Sequence, residues 1–334
     1  MSDAVLVVVF AAATLVSLGT SWLLVSRIER VGARFDLSEG LLGMLAALAA
    51  DAPEITAAAT AIASHESDVG AGVVMGSNVF NIAALLGLPA VIAGGIALHR
   101  RVIVLEGVVA VWVAAVCFAT VTGVVRAEIG LALVLVVLVP YAFALGVPHE
   151  WLRHVRLPTA WVRWLRSAIA EEEEELEVAI HPRRGNSRDA VVAGLAVVVV
   201  VGASIVMEQS ASRLGARHGV SEIVIGALVL AAVTSLPNAV SAVYLAVRGR
   251  AEATLSIATN SNAINVAAGL LIPAIVVGLG APSGQTTLVA AWYLGLTALA
   301  LAGAYVARGL GRRYGALIIC LYLVFVALVL ATAE

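Results

Sequence analysis

Two stretches of this chain repeat each other at a fixed distance, and both carry polar groups into long apolar segments. Pro53 and Pro237, Ser77 and Ser261, Asn81 and Asn265, and Pro89 and Pro273 all stand 184 residues apart. The run Ser77-Asn78-Val79-Phe80-Asn81-Ile82-Ala83-Ala84 returns as Ser261-Asn262-Ala263-Ile264-Asn265-Val266-Ala267-Ala268. A constant offset between polar clusters inside apolar runs implies a duplicated membrane unit whose two halves build one central site.

The medium follows from composition. With 61% hydrophobic residues, 13% charged residues and a mean hydropathy of +1.02, a chain of 334 residues cannot be a water-soluble globule. Spanning a hydrocarbon core takes about 20 apolar residues per helix. Ten such stretches can be read, at about 4–26, 38–64, 69–96, 102–123, 127–147, 189–208, 219–247, 252–279, 285–307 and 315–333. They are continuous and rich in Ala, Leu and Val, without the alternation of a transmembrane barrel. The expectation is an all-α polytopic membrane protein, with the second, third, seventh and eighth helices interrupted by Pro, Gly, Ser and Asn.

Every basic residue is Arg. Placing the 148–188 loop in the cytoplasm puts seventeen of the 20 Arg on that side and leaves Arg126, Arg213 and Arg217 outside. That bias puts both termini outside. Five helices per half then force opposite orientations, giving two inverted repeats, 1–147 and 189–334, around the cytoplasmic loop. Trp151, Trp161 and Trp164 among Arg residues predict an interfacial helix in that loop. Glu171 to Glu175 read as a solvated linker, and His149, His154 and His181 lack the spacing of a zinc site. The first helix starts close to Met1 without a basic leader, so it is expected to be retained. The localisation expected is the inner (plasma) membrane, with no cofactor, no nucleic acid and no obligatory protein partner.

Asp51 and Glu54 lie near the middle of the second span, in Ala50-Asp51-Ala52-Pro53-Glu54. On insertion scales each buried carboxylate costs at least about 2.5–3.5 kcal/mol. Three apart, they share a helix face. Pro53 removes a backbone donor and frees carbonyls near Ala49 and Ala50. Charged and neutral oxygens in a cavity suit a hard cation or a proton; the competing possibility is a kink whose acids share a proton or bond Ser and Thr. Ser77 and Asn81, four apart, stack on one face while Asn78 points elsewhere; they are either neutral ion ligands or interhelical glue. Gly72 and Gly76 predict close approach of a neighbouring helix. In the second half the acidic cluster becomes Thr234-Ser235-Leu236-Pro237-Asn238, so the negative charge is one-sided.

The motifs ADAPE, MGSNVFN, VTSLPN and TNSNAIN resemble those of the cation/Ca2+ exchanger superfamily, closest to prokaryotic Na+/Ca2+ exchangers, over essentially the whole membrane region. The resemblance implies a divalent ion held by Glu54, by the Asn238 position and by the Ala50 and Thr234 carbonyls. Surrounding Na+ sites would draw on Asp51, Ser77, Asn81, Ser235, Ser261 and Asn265, with carbonyls near Ala47 and Ala231. It also implies alternating access by sliding of the first and sixth helices. Asn238 and Asn265 replace acids usual in the family, and Asp51 replaces a hydroxyl residue.

The leading expectation is a secondary antiporter moving Ca2+ against Na+ or H+. The alternatives are exchange of another cation, or proton-coupled transport, and a non-transporting ion-binding membrane protein. No nucleophile, metal triad or phosphate loop argues for an enzyme. Gly19-Thr20-Ser21 shares letters with the motifs but is given no role. Glu106 and Glu208 are expected near helix ends, at a boundary position or in an interfacial hydrogen bond, Trp22, Trp112 and Trp292 in interface belts or packing, and Cys117 and Cys320 as small packing residues.

Overall fold

A computed structural model of the chain describes residues 2–35, 39–146, 167 and 185–332; the expected interfacial helix and acidic run lie outside the described residues. The helices are α1 (Asp3–Arg34), α2 (Glu39–Ala50), α3 (Ala52–Ala63), α4 (Ser67–Ile92), α5 (Arg100–Val121), α6 (Ala127–Leu145), α7 (Ser187–Arg217), α8 (Glu222–Val247), α9 (Ala251–Val277), α10 (Gly284–Ala307) and α11 (Arg312–Ala331). Nine are long and apolar enough to cross a membrane among the described residues, and the bent pair α2/α3 makes a tenth. The molecule is an all-α, polytopic membrane protein of two inverted repeats.

Burial sorts these spans into a centre and a periphery. Along its most apolar stretch α4 is 94% buried, against 17% for α1 and 22% for α7. The outer pair is long, 32 and 31 residues, or about 48 and 46 Å at 1.5 Å per residue. The two pack antiparallel and are tied at both ends. Arg27 bonds Asp189 at 2.7 Å and Arg217 bonds Asp3 at 2.8 Å. In each pair an acid in the first turn of one helix meets an arginine near the far end of the other, as the helix dipoles favour. Midway, the Ser17 and Ser204 hydroxyls lie 2.7 Å apart, both fully buried.

Small residues let the centre close. A Cβ on Gly76 would collide with the backbone of Ala227, and one on Gly226 with the Val69 carbonyl. The close approach expected at Gly72 and Gly76 is therefore made to α8, backbone against backbone. The chain leaves α9 through Gly278 at φ +87°, a left-handed turn suited to glycine.

The repeat is visible in helix geometry. Wide, π-type turns occupy Ile82–Gly87 in α4 and Asn265–Leu271 in α9, positions matching at the 184-residue offset, each followed by a proline, Pro89 and Pro273. A third occupies Ile225–Leu230 in α8. Such turns reorganise the i→i−4 ladder and cluster at functional sites. Sequence patterning missed one element. Gly95–Ala97 (β1) and Gly309–Gly311 (β2) pair antiparallel, with Ile96 opposite Leu310, tying the α4–α5 turn to the α10–α11 turn.

Candidate functional site

The two prolines behave differently. Pro53 sits in the first turn of α3, and the chain bends by 55° between Met44–Ala50 and Ala52–Ala63, with Asp51 at the break. Pro237 lies inside an unbroken helix, Ala231–Val247. The expected interruption of the seventh span is thus a π-type turn upstream of its proline.

At the break, Ser21 of α1 donates from Oγ toward the Ala49 and Ala50 carbonyls, at 2.9 and 3.2 Å. The Ser21 hydroxyl is buried, at 3% exposure, and offers its one hydrogen where Pro53 leaves the Ala49 carbonyl without a backbone donor. The Gly19-Thr20-Ser21 run therefore does have a structural role. The signal available was a buried hydroxyl on the first span facing a predicted carbonyl gap, which a single sequence cannot place in space.

The site forms where α2/α3, α4, α8 and α9 converge. Asp51, Ser77, Asn81, Ser235 and Asn265 are fully buried, Glu54 and Ser261 are 1% exposed, Thr234 2%, and Asn238 6%. Asn238 Nδ2 donates to Asp51 Oδ1 at 2.8 Å, and Ser261 Oγ donates to the same oxygen at 2.9 Å. Ser235 Oγ donates to Glu54 Oε1, and Asn265 Nδ2 donates to Glu54 Oε2 at 2.5 Å. These contacts obey the repeat. Asp51 and Ser235 are counterparts at the 184 offset, as are Glu54 and Asn238, so Asp51···Asn238 and Ser235···Glu54 are one contact seen from either half. Asp51 thus reaches across the pseudo-twofold axis to the position where an acid is missing.

A second layer is reciprocal. Asn78 Nδ2 donates to the Asn262 carbonyl at 3.1 Å, and Asn262 Nδ2 returns a bond to the Asn78 carbonyl at 3.2 Å. Asn81 Nδ2 reaches Asn262 Oδ1 at 3.0 Å and Ser261 Oγ at 3.3 Å, while Asn265 Nδ2 reaches Asn78 Oδ1 at 3.4 Å. Asn78, expected to lie off the face shared by Ser77 and Asn81, stitches α4 to α9, because the crossing of the two helices brings that flank of each to the other.

The main-chain groups divide. The Ala47 carbonyl accepts from the Asp51 amide at 2.9 Å, closing the last turn of α2. The Ala231 carbonyl accepts from Thr234 Oγ1 at 3.3 Å, and Ser77 Oγ bonds the Val74 carbonyl at 3.0 Å. The Ala50 carbonyl faces the Ser21 hydroxyl, as described.

Among the described residues, three buried oxygens in this cluster have no hydrogen-bond partner: Asp51 Oδ2, Asn81 Oδ1 and Asn265 Oδ1. A buried acceptor left unpaired costs on the order of 1–3 kcal/mol. Two carboxyl groups a helical turn apart compound that cost, and among the described residues neither forms an ion pair. No group of three or more His, Cys, Asp or Glu able to hold a metal occurs among the described residues. Oxygen-only, mostly neutral ligation fits Na+ or Ca2+ and not a thiol- or imidazole-seeking metal.

Glu106 is fully buried in α5 and Glu208 is 1% exposed in α7, so of the two readings expected for them the hydrogen bond is the one made. Both are held by neighbouring hydroxyls, Glu106 by Tyr141 at 2.7 Å and Glu208 by Ser212 at 3.0 Å. Cys117 is buried but Cys320 is exposed, and both are free.

A model of the sodium/calcium exchanger protein family matches residues 5–147 and 190–331. No curated protein matches the chain by sequence. Among solved structures, the H+/Ca2+ exchanger CAX is similar over 98% of this chain and 85% of that one, with a TM-score of 0.71 at 14% identity. One form of the sodium-calcium exchanger NCX_Mj gives 0.60 at 18% identity over 98% and 99% of the two chains. Native YfkE gives 0.60 at 15% over 96% and 91%. At these identities the likeness concerns the fold.

Proposed function

The chain belongs to the sodium/calcium exchanger protein family, and from that premise we propose that it is a secondary antiporter carrying Ca2+ against Na+ or H+ through the cluster around Asp51 and Glu54. The observation that carries this reading is the trio of unpartnered buried oxygens, Asp51 Oδ2, Asn81 Oδ1 and Asn265 Oδ1, beside two carboxylates. Together they form a cage of oxygen donors suited to a hard cation.

In this reading Glu54 and Asp51 neutralise a divalent ion, and the Asn238, Asn81 and Asn265 amide oxygens and the Ala50 and Thr234 carbonyls complete its shell. Ser77, Ser235 and Ser261, with carbonyls at Ala47 and Ala231, serve the coupling cations. A bare ion at mid-membrane is tolerable only where such groups replace its water. Alternating access would come from the α1/α7 pair moving as one body, which its two end-to-end ion pairs and small buried area favour. The arginine bias places the β1/β2 side in the cytoplasm and both termini outside. The partners are the transported cations and the bilayer, and no cofactor is required. Neutral Asn238 and Asn265, where the resembling family carries acids, favour a second reading, altered ion selectivity with a monovalent cation or proton taking part of the charge.

The test is uptake of radiolabelled Ca2+ into proteoliposomes, with Na+ and H+ gradients imposed separately. Uptake under either gradient, lost in Glu54→Gln protein that remains folded, is the expected result. No uptake under both rejects Ca2+ as substrate.

A further inference from the structure

The helices α5 and α9 carry polar pairs at a constant separation. His99 meets Glu252 and Glu106 meets Thr259, each pair 153 residues apart in sequence. A constant difference means the two helices run parallel in register, with one pair seven residues, or about 10 Å, deeper than the other. The His99 ring is 69% exposed at the mouth; Glu252 beneath it is 1% exposed and Glu106 fully buried. Between the levels stands Ser256, 3% exposed, one helical turn from Glu252. The Ser256 hydroxyl accepts from Asn260 Nδ2 at 2.9 Å, next to Ser261 of the ion site.

The inverted repeat supplies an internal control. At the 184 offset, His99 and Glu252 correspond to Ser283 and Asp68, where Thr286 Oγ1 donates to Asp68 Oδ1 at 2.6 Å. Deeper in, Glu106, Thr259, Ser256 and Tyr141 correspond to Ala290, Met75, Gly72 and Phe325. Only the half facing the arginine-rich side carries the polar string inward.

Hydrogen counting shows what Glu106 can hold. Tyr141 spends its one hydroxyl hydrogen on Glu106 Oε1, at 2.7 Å. Thr259 also has one hydrogen, yet its Oγ1 lies near three acceptors: Glu106 Oε2, the Leu255 carbonyl at 3.0 Å and the Ser256 carbonyl at 3.2 Å. With a proton on Glu106, the acid donates to Thr259 and Thr259 donates to the Leu255 carbonyl. Without it, the Thr259 hydroxyl turns toward the carboxylate. Both protonation states are hydrogen-bonded after one hydroxyl rotation, a property of a site that exchanges a proton. Of the titratable and charged side chains on the elements packed against it, Tyr141 of α6 bonds Glu106 directly; α9 carries Glu252, α10 carries Tyr293 and Tyr305, and α5 carries Arg100, Arg101 and Cys117, with His99 at its N-cap. Arg100 is engaged over the Tyr305 ring, 5.1 Å from its centroid.

We propose that Glu106 is a buried proton-binding site loaded from the arginine-rich face through His99 and Glu252, making exchange on that side proton-linked. A proton from water binds the His99 imidazole and passes to the Glu252 carboxylate, returning the ring to neutral. The Ser256 hydroxyl accepts one proton and releases its own toward Glu106. This rests on the exchanger reading and names its coupling ion.

Two measurements on the full-length protein test it. In pH-difference infrared spectra, the wild type should show a carboxylic acid C=O band that titrates and is missing in Glu106→Gln. In proteoliposomes, Glu106→Gln should lower Ca2+ uptake driven by a proton gradient by roughly tenfold or more, while Ca2+/Ca2+ counterflow without a gradient stays within about twofold. His99→Gln should slow proton-driven uptake only when the acid is applied on the arginine-rich side. Should Glu106→Gln fail to fold, Tyr141→Phe, which removes one donor and leaves the carboxyl, should shift the same band. A spectrum without a Glu106 band at any pH, or undiminished proton-driven uptake in Glu106→Gln, overturns the proposal. Wild type that moves no cation under any gradient overturns the exchanger reading instead, and the infrared band still decides the proton site.

Discussion

The two halves place the same proline in the same span and handle it in opposite ways. In the first half the chain breaks by 55° at Asp51, and Ser21 from the peripheral helix α1 offers its hydroxyl hydrogen to the carbonyls at the break. In the second half α8 runs on through Pro237, and the residue matching Ser21 is Ile205, which has no hydroxyl to give. Both carboxylates lie on the broken side. The lesson is that the duplicated scaffold supplies symmetric packing, while the two carboxylates of the site and the one sharp break in a span fall in one repeat and reach the axis from there.

The sharpest way to break this comparison is to neutralise the charged half. Glu54→Gln or Asp51→Asn should lower Ca2+ uptake by about a hundredfold or more, equivalent to about 2.7 kcal/mol. Ser235→Ala or Asn238→Ala should cost about tenfold. Radiolabelled uptake at matched protein levels reads both, and equal losses from the two halves would show that the charge asymmetry is irrelevant to transport.

Moving the charge across the axis sharpens it. Asp51→Ser alone should be as damaging as Asp51→Asn. Adding Asn238→Glu, which restores an acid to the same cross-axis contact from the other side, should bring uptake back to within about tenfold of wild type. No recovery in the double variant would mean that the broken backbone at position 51, and not only the charge, is required.

Where the halves are equivalent, their variants should be too. Asn78→Ala and Asn262→Ala each remove one bond of the reciprocal pair and should destabilise by about 0.5–1.5 kcal/mol, equally within error, in thermal unfolding of the detergent-solubilised protein. A large difference would deny the pseudo-twofold contact.

The smallest effect expected is at the brace. Ser21→Ala should cost about 1 kcal/mol of stability and Ile205→Ala should not disturb the site; a fluorescence-monitored melting curve distinguishes them. Transport unchanged in Ser21→Ala would restrict Ser21 to structure.

Much of this was legible before any coordinates. The paired motifs, Pro53 and Pro237, and the Arg bias specify a membrane protein of two inverted halves meeting at Asp51, Glu54, Ser77, Asn81 and their counterparts. That legibility has a physical basis, since burying a polar group in lipid is costly enough to stand out against an apolar background. The residues misread were those whose role depends on a partner far along the chain. Asn78 lies off the face shared by Ser77 and Asn81 and gains its meaning only from the α4–α9 crossing. The partners of Glu106 were invisible because its distance from the end of an apolar run says nothing about which helices enclose it, while Ser21 had no visible partner until α1 was laid beside the break in the second span.

Sequence alone settled the solvent, the duplication and the lopsided charge, because hydropathy, offset and residue type are properties of the chain itself. Only the tertiary structure decided that Asp51 lies opposite Asn238, that Pro53 breaks its span while Pro237 does not, and that Glu106 sits between Tyr141 and Thr259. Those outcomes depend on how helices cross and on which hydrogen-bond donors arrive from elsewhere, and contacts between residues 35 to 187 positions apart leave no local trace in composition or periodicity.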